Sequence, residues 1–212
     1  MRALQDLTLL WRSLLVVTSD VMHIMAIRSG RKRALVGRRI MNTSILKGRP
    51  VRESRSEYTY VGLANDANPL GNVLGGRVMH LVDMCAWLAA QRHARSPAVT
   101  AAIDQMSFTH PIRIGQLVIL RSSVNRVFHT SMEVGVKVWM ENPQNGEMRY
   151  TSSAYLTFVA IGEGGKPVAV APVIAESEEE ERRYHEAGRR REQRLATRNG
   201  FAPSTTEAEL VP

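Results

Sequence analysis

The chain has 212 residues, a hydrophobic fraction of 44% and a formal charge of +8, enough for one domain of ordinary size with extensions and too apolar for global disorder. Its single cysteine, Cys85, excludes an intrachain disulfide and a multi-cysteine metal site, and reads as a small buried hydrophobe. Residues 1–50 hold ten Lys or Arg against Asp6 and Asp20, so the remainder is neutral overall and its basicity does not mark a nucleic-acid binder.

The apolar stretch 14–27 in this leader is interrupted by Thr18, Ser19, Asp20 and His23, too short and broken for membrane insertion. Arg-rich, acid-poor composition fits an organellar transit peptide. The preferred reading is a disordered arm, or a start-site artefact with translation beginning at Met41, in a cytoplasmic protein. Residues 56–162 form the expected domain. A strand is expected at 57–63, a turn-rich loop at 65–71 and a helix over 77–93, free of proline until Pro97. Runs with strand character follow at 99–108, 116–128, 131–141 and 149–161, with Asn145-Gly146 as a hairpin turn. One long helix followed by an antiparallel meander predicts an α+β domain. A Gly/Pro-punctuated exit at 163–175 leads to a charged helix over 176–198, glutamates first and arginines later, read as a solvated appendage. Residues 199–212 read as a loose tail.

The chemistry is concentrated in DANPLGNVLGGRVMHLVD, residues 66–83. Val78, Met79, Leu81, Val82, Met84, Ala86, Trp87 and Leu88 cover most of the helix circumference, which predicts burial nearly all round. Asp83 on such a helix is either on a wet stripe beside His80 or a functional carboxylate, and the residues alone do not choose. Gly75-Gly76 before the helix leave N–H groups free at the positive end of its dipole, a site suited to a developing oxyanion. Asn68 and Asn72 in the preceding loop each offer an amide to orient water or a carbonyl.

These residues resemble the acyl-CoA thioesterases of the hotdog fold, in particular the cytosolic long-chain (brain-type) acyl-CoA hydrolases and their single-domain bacterial relatives. The likeness continues through VTAAIDQMSF at 99–108, PIRIG at 111–115, SMEV at 131–134, FVA at 158–160 and GKP at 165–167, and covers about 56–200. It implies a curved antiparallel sheet wrapped around a central helix, with Asn68 and Asp83 supplied to each active site by opposite subunits. The implied partners are the acyl-CoA substrate and a second copy of the chain. A homodimer is the minimum, with trimers of dimers beyond it, and neither cofactor, metal nor nucleic acid is called for. Backbone N–H groups near Gly75, Gly76 and Arg77 would receive the thioester carbonyl, with Asp83 as general base or nucleophile. Arg77, Arg113 and Arg126 are candidates for the CoA phosphates, with the His129-Thr130-Ser131 turn as a further contact. Pro69-Leu70 and His80 depart from the family pattern. Three readings compete: a hotdog dehydratase using His80 or His93, a non-catalytic acyl-CoA sensor whose basic arm binds nucleic acid, and an oligomer with a vestigial site.

Overall fold

The computed structural model describes residues 46–104 and 106–200; the expectations for the basic arm and the tail fall on residues largely outside that range. The described chain opens with β1 (Arg49–Pro50), a 3-10 turn (Val51–Ser54), β2 (Ser56–Val61) and a second 3-10 turn (Ala64–Asp66). Helix α1 (Gly75–Ala94) is followed by β3 (Ala98–Ile103), β4 (Leu117–Val127), β5 (Ser131–Asn142) and β6 (Glu147–Ala160). After a third 3-10 turn (Glu163–Gly165), β7 (Val173–Ile174) precedes α2 (Glu178–Gly200).

Five strands form one antiparallel sheet in the order β2-β4-β5-β6-β3, while β1 and β7 make a short parallel pair. Alternation sets the faces. In β5, Met132, Val134, Val136, Val138 and Met140 are buried on one side, and Glu133, Gly135, Lys137 and Trp139 take the other. Register shifts at Thr100/Ala102, Val124/Arg126 and Val138/Trp139 bend the strands, and the sheet wraps α1 as the resemblance implied. The hairpin between β5 and β6 turns at Gly146, whose φ of 72° is the conformation that glycine tolerates.

Against this face α1 presents Val78, Leu81, Val82, Cys85, Ala86, Ala89 and Ala90, all nearly or fully buried. Alanines at 86, 89 and 90 let the helix axis approach the sheet closely, and Leu81 joins Leu120, Val134 and Phe158 in one buried core. The helix closes at Arg95, in the left-handed region with φ 56°, just ahead of Pro97.

Three expectations change. The helix is not buried all round: Met79 (41% exposed), Met84 (38%) and Trp87 (41%) form an open apolar stripe opposite the sheet. The expected strand 99–108 ends at Ile103; Asp104 N–H still donates to the Tyr155 carbonyl of β6 at 2.9 Å, while its carboxylate pairs with Arg194 of α2 at 3.0 Å. Helix α2 is docked rather than freely solvated. It lies on the other face of the sheet, where Ala187 is fully buried and Arg190 pairs at 2.8 Å with the inaccessible Glu133, itself bonded to Asn125. Among the described residues no helix is long and apolar enough to cross a membrane.

His93 ties the end of α1 to the exit segment. It is fully buried, its Nε2 donates to the Ala171 carbonyl at 2.9 Å, and its Nδ1 has no partner. Burial, opposed by the Ala171 bond and aided by Arg49, holds its pKa below the usual histidine value. The unfolded chain therefore takes up this proton first as pH falls. Stability is full above the unfolded value of about 6.5 and declines as pH drops from there toward the lowered folded value. Urea midpoints at pH 7.5 and 5.5 check this: the wild type should lose more stability over that interval than His93→Gln, and equal losses would contradict it.

Candidate active site

The loop before α1 is built around Asp66. Its carboxylate accepts from the Tyr60 hydroxyl at 2.8 Å and the Leu63 N–H at 3.1 Å, and Arg77 Nε lies 3.1 Å away with its guanidinium 4.7 Å from the Tyr60 ring centroid. Burial pushes Asp66 upward, but these three partners outweigh it and hold the carboxyl below its usual pKa. Its backbone carbonyl also accepts from Leu74 N–H at 2.8 Å, so one residue fixes both ends of the loop.

Within that loop Asn68 Oδ1 accepts from the N–H groups of Leu70 (2.9 Å) and Asn72 (3.1 Å). With the oxygen spent on backbone, the side chain has only its Nδ2 to offer a ligand. That makes Asn68 a donor to a carbonyl rather than an acceptor for water. Helix α1 begins immediately after, with Leu74 as its N-cap and no side-chain cap. Among the described residues the N–H groups of Gly75 and Gly76 find no acceptor, which leaves two donors at the positive helix end. A Cβ on Gly76 would meet nothing within 4 Å, so the chain's own packing does not demand a glycine there. Asn68, Gly75, Val73, Phe108 and His110 line a shared cleft of about 300 Å³.

Asp83 stands elsewhere. Two turns into α1, about 12 Å along the axis from Gly75, it is half-buried on the apolar stripe. Its Oδ1 accepts from the Thr100 hydroxyl of β3 at 2.7 Å, and its Oδ2 has no partner among the described residues. Thr100 was not marked by the sequence, because a lone threonine in a strand gives no signal of a bond reaching back to a helix. His80 has no acidic partner among the described residues and His93 is sealed in the core, so neither supplies the histidine–acid pair of a dehydratase.

The other candidates scatter. Arg77 is engaged by Asp66 and Tyr60, which gives it a loop-holding position. Arg113 is exposed beside the loop, where it bridges Asn72 through backbone. Arg126 sits at the opposite end of β4, a strand roughly 35 Å long. Near it, His129 adopts φ 126°, Thr130 is half-buried, and Ser131 Oγ accepts from Arg191 at 3.1 Å.

Residues 70–147 match the model of the thioesterase superfamily. A mouse acetyl-coenzyme A thioesterase is 36% identical over 135 residues, 64% of this chain, but the chain spans only 24% of that protein's length. A solved apo-hexameric acyl-CoA thioesterase is 39% identical with a TM-score of 0.69, covering 72% of this chain and 97% of its own. An acyl-CoA hydrolase of Staphylococcus aureus, solved with butyryl-CoA, CoA and CoA disulfide, is 31% identical with a TM-score of 0.67, covering 72% and 93%. That hydrolase has also been solved with alanine at one asparagine, one aspartate and one threonine. Their separations along its chain equal those of Asn68, Asp83 and Thr100 here.

Thr100 orients the Asp83 carboxylate without adding charge. Thr100→Val keeps the shape and removes the donor; with Asp83 as the base proposed below, loss of a hydrogen bond to a charged group should lower turnover about tenfold. Thr100→Ser should restore most of it. A valine variant with wild-type kcat would show that the bond has no part in turnover.

Proposed function

The chain belongs to the thioesterase superfamily, and on that premise we propose that it hydrolyses acyl-CoA to a free carboxylic acid and CoA. The observation that carries the reading is the Thr100–Asp83 bond, which leaves one carboxylate oxygen free on an apolar face, distant from its own chain's N–H donors.

A second copy supplies what one chain lacks. The stripe of Met79, Met84 and Trp87 and the outer edge of β3, with Val99 and Ile103, are exposed and apolar. Antiparallel pairing of two β3 edges satisfies their open backbone groups and covers both stripes at once. In that homodimer the thioester carbonyl accepts from Gly75 N–H, Gly76 N–H and Asn68 Nδ2 of one subunit. Asp83 of the partner subunit, held by its own Thr100, takes a proton from water as the water attacks the carbonyl carbon. Collapse of the tetrahedral intermediate breaks the carbon–sulfur bond and expels CoA as the thiolate, and Asp83 returns its proton to the products. Assembly into a trimer of such dimers, as in the similar hexameric thioesterase, and a cytoplasmic setting belong to the same proposal.

Asp83→Ala should lower kcat on the order of 10²- to 10⁴-fold in a thiol-release assay across acyl-CoA lengths. One turnover in water enriched in heavy oxygen separates the routes: label only in the acid product supports general-base catalysis. Label in Asp83 would replace that route with direct attack and a mixed anhydride.

A further inference from the structure

One ionisable side chain of the cleft takes no part in the proposed hydrolysis. His110 lies on the segment that follows β3 and lines the cleft together with Asn68, Gly75 and Phe108. Its imidazole is oriented by the edge of the sheet. Nδ1 stands 3.1 Å from the Tyr150 carbonyl of β6 and 3.2 Å from the Thr109 hydroxyl oxygen. That hydroxyl is already committed, since it donates its one hydrogen to the Thr151 carbonyl at 2.8 Å. Both neighbours of Nδ1 can therefore only accept, so Nδ1 carries the proton of the neutral ring. Nε2 keeps its lone pair, bonds to no group among the described residues, and belongs to an exposed ring.

This lone pair complements the other polar groups of the cleft. Gly75 N–H, Gly76 N–H and Asn68 Nδ2 are donors, while the Asn68 oxygen is spent on the N–H groups of Leu70 and Asn72. The Asn72 amide can present either its oxygen or its nitrogen, which leaves Nε2 of His110 as the acceptor whose direction is fixed.

A thioester whose carbonyl rests on those donors brings one N–H close to the reacting carbon. A plain acyl chain carries no N–H or O–H, whereas the first amide N–H of a pantetheine arm comes three bonds beyond the sulfur. In an extended arm that nitrogen lies about 5 Å from the carbonyl carbon by ordinary bond lengths, and a hydrogen bond adds about 3 Å. On the protein side, a Cβ on Gly75 would meet the Phe108 ring at 3.6 Å, so Phe108 flanks the donors. His110 comes two residues later, roughly 7 Å along an extended chain. The two spans agree.

We propose that His110 Nε2 accepts the first amide N–H of the pantetheine arm. The inference rests on the thioesterase reading above. His110 then recognises the leaving group and sets its direction: the arm runs along the wall from Phe108 to His110, and the acyl chain is sent the other way. A buried-polar mismatch would penalise thioesters that lack the amide, so this one contact separates pantetheine thioesters from simple ones.

Two small thioesters with the same acyl group test it on the full chain. One ends in N-acetylcysteamine, which keeps the amide, and the other has an ester oxygen in place of that N–H. The ester oxygen preserves the shape and turns a lone pair toward Nε2. The wild type should hydrolyse the amide compound with a kcat/KM about tenfold higher, and His110→Ala should abolish that preference. His110→Gln, whose side-chain oxygen can accept, should keep part of it. Both compounds meet the same sample, so a general loss of folding or activity leaves their ratio unchanged. Equal kcat/KM in the wild type would overturn the proposal, and so would a preference that survives in His110→Ala. The hydrolase reading stands or falls separately. If no thioester, acyl-CoA included, releases thiol, that reading is removed. The same preference, and its loss in His110→Ala, is then decided from the affinities of the two compounds by ligand-observed magnetic resonance.

Discussion

The packing of α1 against the sheet is the constraint on which everything else depends. Ala86, Ala89 and Ala90 bring the helix close enough for Leu81, Val82 and Val78 to fill the curved face, and the fully buried Cys85 turns its thiol to the Ser122 hydroxyl and the Ser56 and Leu120 carbonyls of the sheet. Once that face is fixed, rotation about the helix axis is fixed too. Gly75 and Gly76 must then open the helix beside the Asn68 loop, and Asp83 must emerge on the opposite stripe, within reach of the edge strand β3. The site is therefore a consequence of helix phase. A change that rotates α1 by one residue position would swing Asp83 about 100° away from Thr100.

That geometry separates donors from acceptor. Within one chain, Asn68 and the helix N-terminus face a cleft walled by Phe108 and His110, while Asp83 faces outward with Thr100. Hydrolysis of a thioester needs both polarities on the same carbonyl: hydrogen-bond donors for its oxygen and a base for the water. The exposed stripe of Met79, Met84 and Trp87 lies beside the base, so the surface that calls for a partner also carries the residue the partner's donors lack. In this reading, association and catalysis are not independent properties.

The sequence made some of this legible and hid the rest for identifiable reasons. The helix, the hairpin at Gly146 and the Asp66–Asp83 stretch carry local signals: period, turn residues and glycines before a helix. Apolar residues around α1 were read as burial within one chain. The pattern records what the residues prefer to be covered by, but not whether that cover is the same chain or another. Thr100 was missed because its bond to Asp83 joins residues seventeen apart through the fold. The docking of α2 is hidden in a charge run that satisfies a solvated helix equally well, and only the sheet beneath it distinguishes Arg190, paired with the buried Glu133, from Arg182, which pairs along the helix with Glu186. Residues beyond Ile103 keep strand composition, so composition extends β3 past the point where its regular pairing with β6 thins to single bonds from Asp104 and Thr109.

The most direct test mixes two inactive proteins. Asn68→Ala and Asp83→Ala subunits, unfolded and refolded together in equal amounts, should form half heterodimers, each with one site in which both residues are intact. Thiol release should then recover to about a quarter of the wild-type rate per subunit, although each variant alone is inactive. If Asn68 and Asp83 instead served the same site from one chain, every site in the mixture would lack one of them, and the mixture would stay as inactive as its components.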